Sequence, residues 1–202
     1  MLQRASVLFP KSIVYSIKIV TNMEDMEKWL KPDEHKIVNE KLLNRKSPRA
    51  SFHDYSGGNY FITICTYNMI SYFGKIRDGI MYFSEIGRIA NDNLLNLATH
   101  YDYVDVPLFV VMPNHIHAVI SIIDPPANSS NIIPSKRSAL GVVVGGYKQS
   151  VTVYARRNNI EFGWHGNYHD HIIRGVTDAN KIANYIENNV ARWDADRFHS
   201  NE

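Results

Sequence analysis

The sequence predicts an α+β domain with a mostly antiparallel sheet and helices on one face. Three observations carry this prediction. The runs "NYFITICTYN", "VDVPLFVVMP" and "HIHAVISII" are alternating or continuously β-branched and aromatic, which marks strands. Longer segments with apolar residues near helical spacing mark helices between and after them. The resulting order, β-ββ-α-β-β-α-α, does not repeat the βαβ unit of a parallel sheet.

The elements follow in order. Residues 1–50 differ from the rest: "TNMEDMEKWLKPDEHKIVNEKLLNRKSPRA" is charged, broken by Pro32 and ends in the basic cluster Arg45, Lys46 and Arg49. Short helical pieces are predicted there, capped at Thr21 or Asn22. The segment reads as a partly ordered N-terminal extension or as a helix packed on the main domain, which spans 51–202. From Gly57 the pattern changes, and a strand is predicted near 59–67. "SYFGKIRDGIMYF" reads as a hairpin turning at Arg77-Asp78-Gly79, since Asp-Gly suits a tight turn with positive φ. "SEIGRIANDNLLNLATHY" places Ile86, Ile89, Leu94 and Leu97 near helical spacing, with Ser84 as the candidate cap. Two strands then flank the turn-forming Pro113-Asn114. A loop over 124–138, a helix over about 139–157, the aromatic loop "EFGWHGNYHDH" and a last helix from Thr177 or Asp178 through about Arg192 complete the chain.

Composition narrows the function classes. The chain has 202 residues, 45% of them hydrophobic, enough for one compact domain with a sizeable core. A net charge of +2 is too mild to establish a nucleic-acid partner by itself. Cys65 is the only cysteine, so no intrachain disulfide can form and a reducing compartment is the simpler reading. No apolar run approaches the roughly 18 residues that span a membrane. The opening "MLQRASVLFPKSIVYSIKIV" is interrupted by Pro10, Lys11 and Lys18, and no small-residue cleavage site follows. A cytoplasmic protein is expected.

The most informative stretch is "FVVMPNHIHAVISII". On a strand, residues i and i+2 face the same way, so His115 and His117 project side by side while Ile116 faces the other side. Two neutral imidazoles so placed could bind one divalent ion, or they could be hydrogen-bonded core histidines. The pair is too sparse for a zinc site, because no cysteine lies near and no H-E-x-x-H helix exists.

Four blocks in order add to this pair: "GNYFITICTYN", "FVVMPNHIHAVI", "NYHDHIIRG" and "YIENNVARW". Together, over roughly residues 55–198, they resemble the His-hydrophobe-His single-tyrosine endonucleases, especially REP-associated tyrosine transposases and insertion-sequence-200-like transposases. The resemblance implies a ferredoxin-like α+β fold. It implies a transposase-like enzyme that cuts and rejoins single-stranded DNA beside hairpins, with a divalent metal and a covalent 5′-phosphotyrosine intermediate. It makes Tyr185 the nucleophile and His115 and His117 metal ligands. Asn189, four residues after Tyr185 and so on the same helical face, is the implied third ligand, a set suited to Mg²⁺ or Mn²⁺. Many relatives have Asn-Pro here, whereas Val190 follows Asn189 in this chain. Valine lets the helix run further where proline would constrain it.

For the DNA itself, Pro125 through Ile160 holds Lys136, Arg137, Lys148, Arg156 and Arg157 and no acidic residue. These side chains could meet phosphates or form a solvated helix face. Tyr147, Trp164 and Tyr168 could stack on unpaired bases or belong to the core. His171, with Arg174 three residues later, lies in a family-like block and reads as structural or phosphate-side. The alternative function is a hairpin-binding protein with an impaired active site. A third is an unrelated metallohydrolase, which predicts a carboxylate-rich metal site. Insertion-sequence relatives work as dimers, so a homodimer and a monomer both stay open.

Overall fold

The computed structural model describes residues 57–123, 138–196 and 198. The N-terminal extension with its basic cluster, and the loop carrying Lys136 and Arg137, lie outside the described residues.

Strand β1 (Gly58–Cys65) is followed by a 3₁₀ turn at Tyr67–Met69. Strands β2 (Gly74–Arg77) and β3 (Ile80–Phe83) form a separate hairpin. Its turn residues Asp78 and Gly79 both have positive φ, 50° and 69°, as a two-residue turn matched to strand twist requires. Helix α1 (Glu85–Leu95) starts on Ser84, whose Oγ accepts from the Gly87 N–H at 3.0 Å. The short helix α2 (Leu97–His100) leads into β4 (Val104–Val111) and β5 (His115–Ile122). Helix α3 covers Ala139–Arg157, again capped by a serine, Ser138. Strand β6 (His169–Ile172) and helix α4 (Gly175–Asn188) follow, and a 3₁₀ segment, Val190–Ala195, ends the fold.

The main sheet has the order β4-β5-β1-β6 with every neighbouring pair antiparallel. The α+β class and the antiparallel sheet are as the sequence predicts. Helix placement differs. Helices α1 and α3 pack on the face formed by Tyr60, Ile62, Ile64, Ile116, Ala118 and Ile120. Helix α4 packs through Ala179, Ile182 and Ile186 on the opposite face, against Leu108, Val110 and Val119. All eight residues of β5 are buried, and a strand buried on both sides needs cover on both sides.

Two further expectations are corrected. The segment read as an aromatic loop contains β6, whose polar "HDHI" has little strand propensity of its own. It becomes a strand by pairing with Tyr60–Thr63 at the sheet edge. The last helix was expected to run through Arg192, but it ends at Asn188. The Asn189 N–H reaches back only to Ile186 O, at 3.2 Å, which tightens the chain into the 3₁₀ segment. Consecutive asparagines, poor helix formers that compete for backbone groups, suit that break. No helix among the described residues is long and apolar enough to cross a membrane.

The start of α1 is docked tightly. Ser84 N donates to Phe73 O at 2.9 Å and Ser84 Oγ donates to Tyr72 O at 2.6 Å, which presses Gly87 onto the Phe73 carbonyl. A Cβ there would collide with backbone. Gly87→Ala should therefore lower stability by about 2 kcal/mol in urea unfolding, the overpacking cost exceeding the roughly 1 kcal/mol that alanine gains in helix propensity. An unchanged or higher midpoint would contradict this docking.

Candidate active site

The β4–β5 hairpin positions the histidines. Its turn, Pro113-Asn114, closes with Met112 N donating to His115 O at 2.8 Å. The β1–β5 register sets Cys65 opposite His115 and Thr63 opposite His117. Both imidazoles are fully buried on the face that α4 covers, with ring centroids 4.6 Å apart. His115 Nδ1 lies 2.8 Å from Asn114 Oδ1, and His117 Nδ1 lies 2.9 Å from Thr63 Oγ1.

Helix α4 brings Tyr185 to this pair. Its hydroxyl oxygen is 3.1 Å from His117 Nε2, a hydrogen bond between residues 68 positions apart. Phe61 stacks on His117 at 5.3 Å and meets Tyr185 edge-on at 6.1 Å, which fixes both rings. Tyr185 nevertheless keeps 41% of its surface exposed, so a large substrate can reach the phenol. On the other side, Trp193 and Phe198 lie against His115 at 6.1 and 4.6 Å.

Asn189 sits along the chain between Tyr185, which touches His117, and Trp193, which lies against His115. It is 2% exposed, and neither atom of its side-chain amide has a hydrogen-bond partner among the described residues. Such an amide costs about 1–3 kcal/mol, which a fold selected for stability alone would avoid. Among the described residues, no group of three or more His, Cys, Asp or Glu side chains could hold a metal ion. Among the described residues, the further side-chain ligands open to a cation on the two imidazoles are amides, with water or substrate beside them.

The predicted DNA-contacting residues are more dispersed. Lys148 Nζ donates to His165 O at 2.7 Å and lies 5.6 Å from the Trp164 ring centre, and burial pushes its pKa down. Trp164 packs against Phe73, Tyr147 and Phe162 and donates Nε1–H to Lys148 O at 3.1 Å. Arg156 and Arg157 are exposed at the end of α3, the helix on the sheet face opposite Tyr185. His171 and Arg174 stand exposed where β6 enters α4. His171 Nε2 is 2.9 Å from Asp178 Oδ2, which also accepts from the Arg174 N–H at 3.0 Å. Those two hydrogen bonds, the backbone one foremost, hold the Asp178 carboxyl below its ordinary pKa.

Sequence reasoning missed Thr63, Asn114 and Phe61, the neighbours that hold the histidine and tyrosine rings. Asn114 adjoins His115 in "MPNHIH" and was read only as a turn former. Thr63 and Phe61 become visible only through the β1–β5 register.

No family model matches the chain. An uncharacterized protein of Haemophilus influenzae is 33% identical over 170 residues, covering 78% of this chain and 94% of that protein. Among solved structures, the fold is similar to that of a REP-associated tyrosine transposase bound to a REP hairpin. The TM-score is 0.51 and the identity 14%, over 72% of this chain and 73% of that one.

Proposed function

The chain belongs to the family of that Haemophilus influenzae protein, and from this footing we propose that it is a transposase-like, metal-dependent endonuclease and transesterase for single-stranded DNA that forms hairpins. The observation that carries the reading is the 3.1 Å approach of the Tyr185 hydroxyl to His117. It joins the phenol of one element to the paired imidazoles of another, and the phenol stays open to solvent. The fold shared with a hairpin-bound transposase supports the same substrate class.

In the proposed reaction the Tyr185 oxygen attacks a backbone phosphorus. A phosphorus–oxygen bond to the tyrosine forms, and the bond to the 3′ oxygen breaks. The 3′ oxygen leaves as a hydroxyl, taking up a proton, and the phenol loses its own. The phosphodiester is exchanged and not hydrolysed, so rejoining needs no nucleotide cofactor. His117 Nε2 holds the phenol through the one ring nitrogen that would also face the ion, so the two contacts would alternate, and Phe61 keeps both rings in place. His115, His117 and Asn189 would hold a divalent ion, Mg²⁺ or Mn²⁺. The buried, unpartnered amide of Asn189 and the two imidazole nitrogens suit that role. When bound, the ion would supply Lewis-acid charge at the scissile phosphate. A carboxylate-rich hydrolase site finds no support among the described residues.

The test is incubation of the full chain with 3′-labelled and 5′-labelled hairpin DNA and Mn²⁺, followed by a denaturing gel. The 3′ label should migrate with the protein, and the 5′ label should appear on a shortened free strand. Cleavage with both labels free of protein would refute a tyrosine-linked intermediate.

Asn189 gives a second, two-signed prediction. Asn189→Leu removes an unpaired buried amide, so the metal-free chain should gain about 1 kcal/mol in denaturant unfolding. Its Mn²⁺ affinity should fall about tenfold or more, since a leucine offers no oxygen. Unchanged Mn²⁺ binding would remove Asn189 from the ligand set.

A further inference from the structure

Asn114 is a polar side chain bonded through both ends of its amide beside the site. It is fully buried. Its Nδ2 lies 3.1 Å from Met69 O and 2.8 Å from Phe198 O. Both partners are carbonyls, which can only accept, so that atom must be the nitrogen and its two hydrogens are both used. The atom facing His115 Nδ1 at 2.8 Å is therefore the amide oxygen, which also can only accept. It follows that His115 carries its proton on Nδ1. A neutral imidazole has one N–H, so the lone pair is left on Nε2.

The two hydroxyls on His117 set no such constraint. Thr63 and Tyr185 are both hydroxyls and either can donate or accept, so their contacts fit both tautomers of that ring. Asn114 thus sets one imidazole of the pair, and it does so from a rigid seat. The Thr66 N–H donates to Asn114 O at 2.9 Å, and the Thr66 hydroxyl lies 2.9 Å from the same oxygen. Phe73 N donates to Pro113 O at 2.9 Å. The Met69 carbonyl that receives one amide hydrogen belongs to a turn in which Asn68 and Met69 both have positive φ, 49° and 59°. Neither is glycine, so this backbone is strained, and strain of this kind persists where the surroundings impose it.

We infer that Asn114 is a positioning residue: its amide locks His115 in the Nδ1–H tautomer, so that Nε2 is held ready as a cation ligand before any cation arrives. The ligand role rests on the proposed function, but the tautomer does not. In water the Nε2–H form of a neutral imidazole is the more populated one, so the lock opposes the intrinsic preference. A ligating histidine is commonly oriented in this way by a hydrogen bond at its other nitrogen.

The experiment uses the full chain, ¹⁵N-labelled and stripped of metal, at a pH where the ring is neutral. Long-range ¹H–¹⁵N spectra, assigned by loss of signals in His115→Gln, should show His115 as the Nδ1–H form. Asn114→Ala should shift it toward Nε2–H and weaken Mn²⁺ binding, read by electron paramagnetic resonance, by about 10- to 100-fold. Asn114→Asp keeps the accepting oxygen and should keep the tautomer, at a cost in stability because its second oxygen faces the Met69 and Phe198 carbonyls. An Nε2–H His115 in the parent chain overturns the inference, and that spectrum decides even if a variant fails to fold. Equal losses in the Ala and Asp variants, with the tautomer unmoved, also overturn it, since they would mark a packing role. An Nδ1–H His115 in a parent chain whose Mn²⁺ binding ignores His115→Gln would instead refute the metal site and leave the lock standing.

Discussion

Tyr185→Phe should abolish the protein–DNA adduct and lower hairpin cleavage by at least about a thousandfold, the scale on which removing a covalent nucleophile acts. The substitution removes one oxygen and little else. The ring that meets Phe61 edge-on stays, and so does the helical face that buries Ile182 and Ile186. One partly exposed hydrogen bond to His117 is lost, so stability should change by no more than about 1 kcal/mol. Hairpin binding should survive within a few-fold, because a single phenol contributes little to a phosphate-dominated interface. The pattern is specific: folded, DNA-binding and unable to link. A variant that still forms the adduct would move the nucleophile to another tyrosine. A parent chain that cuts without linking, and a variant that cuts equally well, would leave Tyr185 with no chemical role.

Local signals made much of this fold legible. The β4–β5 hairpin could be read because its turn is a Pro-Asn pair between two apolar runs, and α3 because its apolar residues recur near helical spacing over about 139–157. The Asp78-Gly79 turn was legible for the same reason: its backbone demands what those residues tolerate. Features that depend on distant partners were not. Strand β6 exists because β1 offers an edge, which no property of "HDHI" reveals. The far face of the sheet needed α4 because β5 is buried on both sides, yet a continuous apolar run does not say which helix covers it.

The site divides along the same line. His115 and His117 share a strand face by local geometry, so their pairing could be read without a fold. That Tyr185 meets them was available only through the family resemblance, since nothing local separates it from the chain's other tyrosines. The rings around them were invisible because Thr63 and Phe61 reach the histidine through register, and Asn114 through a turn whose carbonyl partners lie at Met69 and Phe198. The polar groups buried here oppose the apolar logic of the strand that carries them. Local sequence rules break where a fold buries a polar cluster, and a proposed site is where that is expected.

His117→Ala tests that opposition most directly. His117 contacts Thr63, Phe61, His115 and Tyr185, so it joins the strand, the imidazole pair and the phenol. Its loss removes a proposed cation ligand and the hydrogen-bond partner of the Tyr185 hydroxyl. Lewis-acid stabilisation worth several kcal/mol corresponds to about a thousandfold in rate, and a misplaced nucleophile adds to that. Cleavage in Mn²⁺ should therefore fall by at least about a thousandfold, and Mn²⁺ binding should weaken by well over tenfold. Stability should move far less. The cavity left by the ring is destabilising, but the strand no longer buries an imidazole, and the net change should stay within about 2 kcal/mol, too little to unfold a domain of ordinary stability. Circular dichroism and urea unfolding would confirm that the variant is folded, and the denaturing gel would give its rate. Cutting within tenfold of the parent chain, in a variant shown to be folded, would mean that the imidazole beside the phenol is a packing group and that the reaction is organised elsewhere.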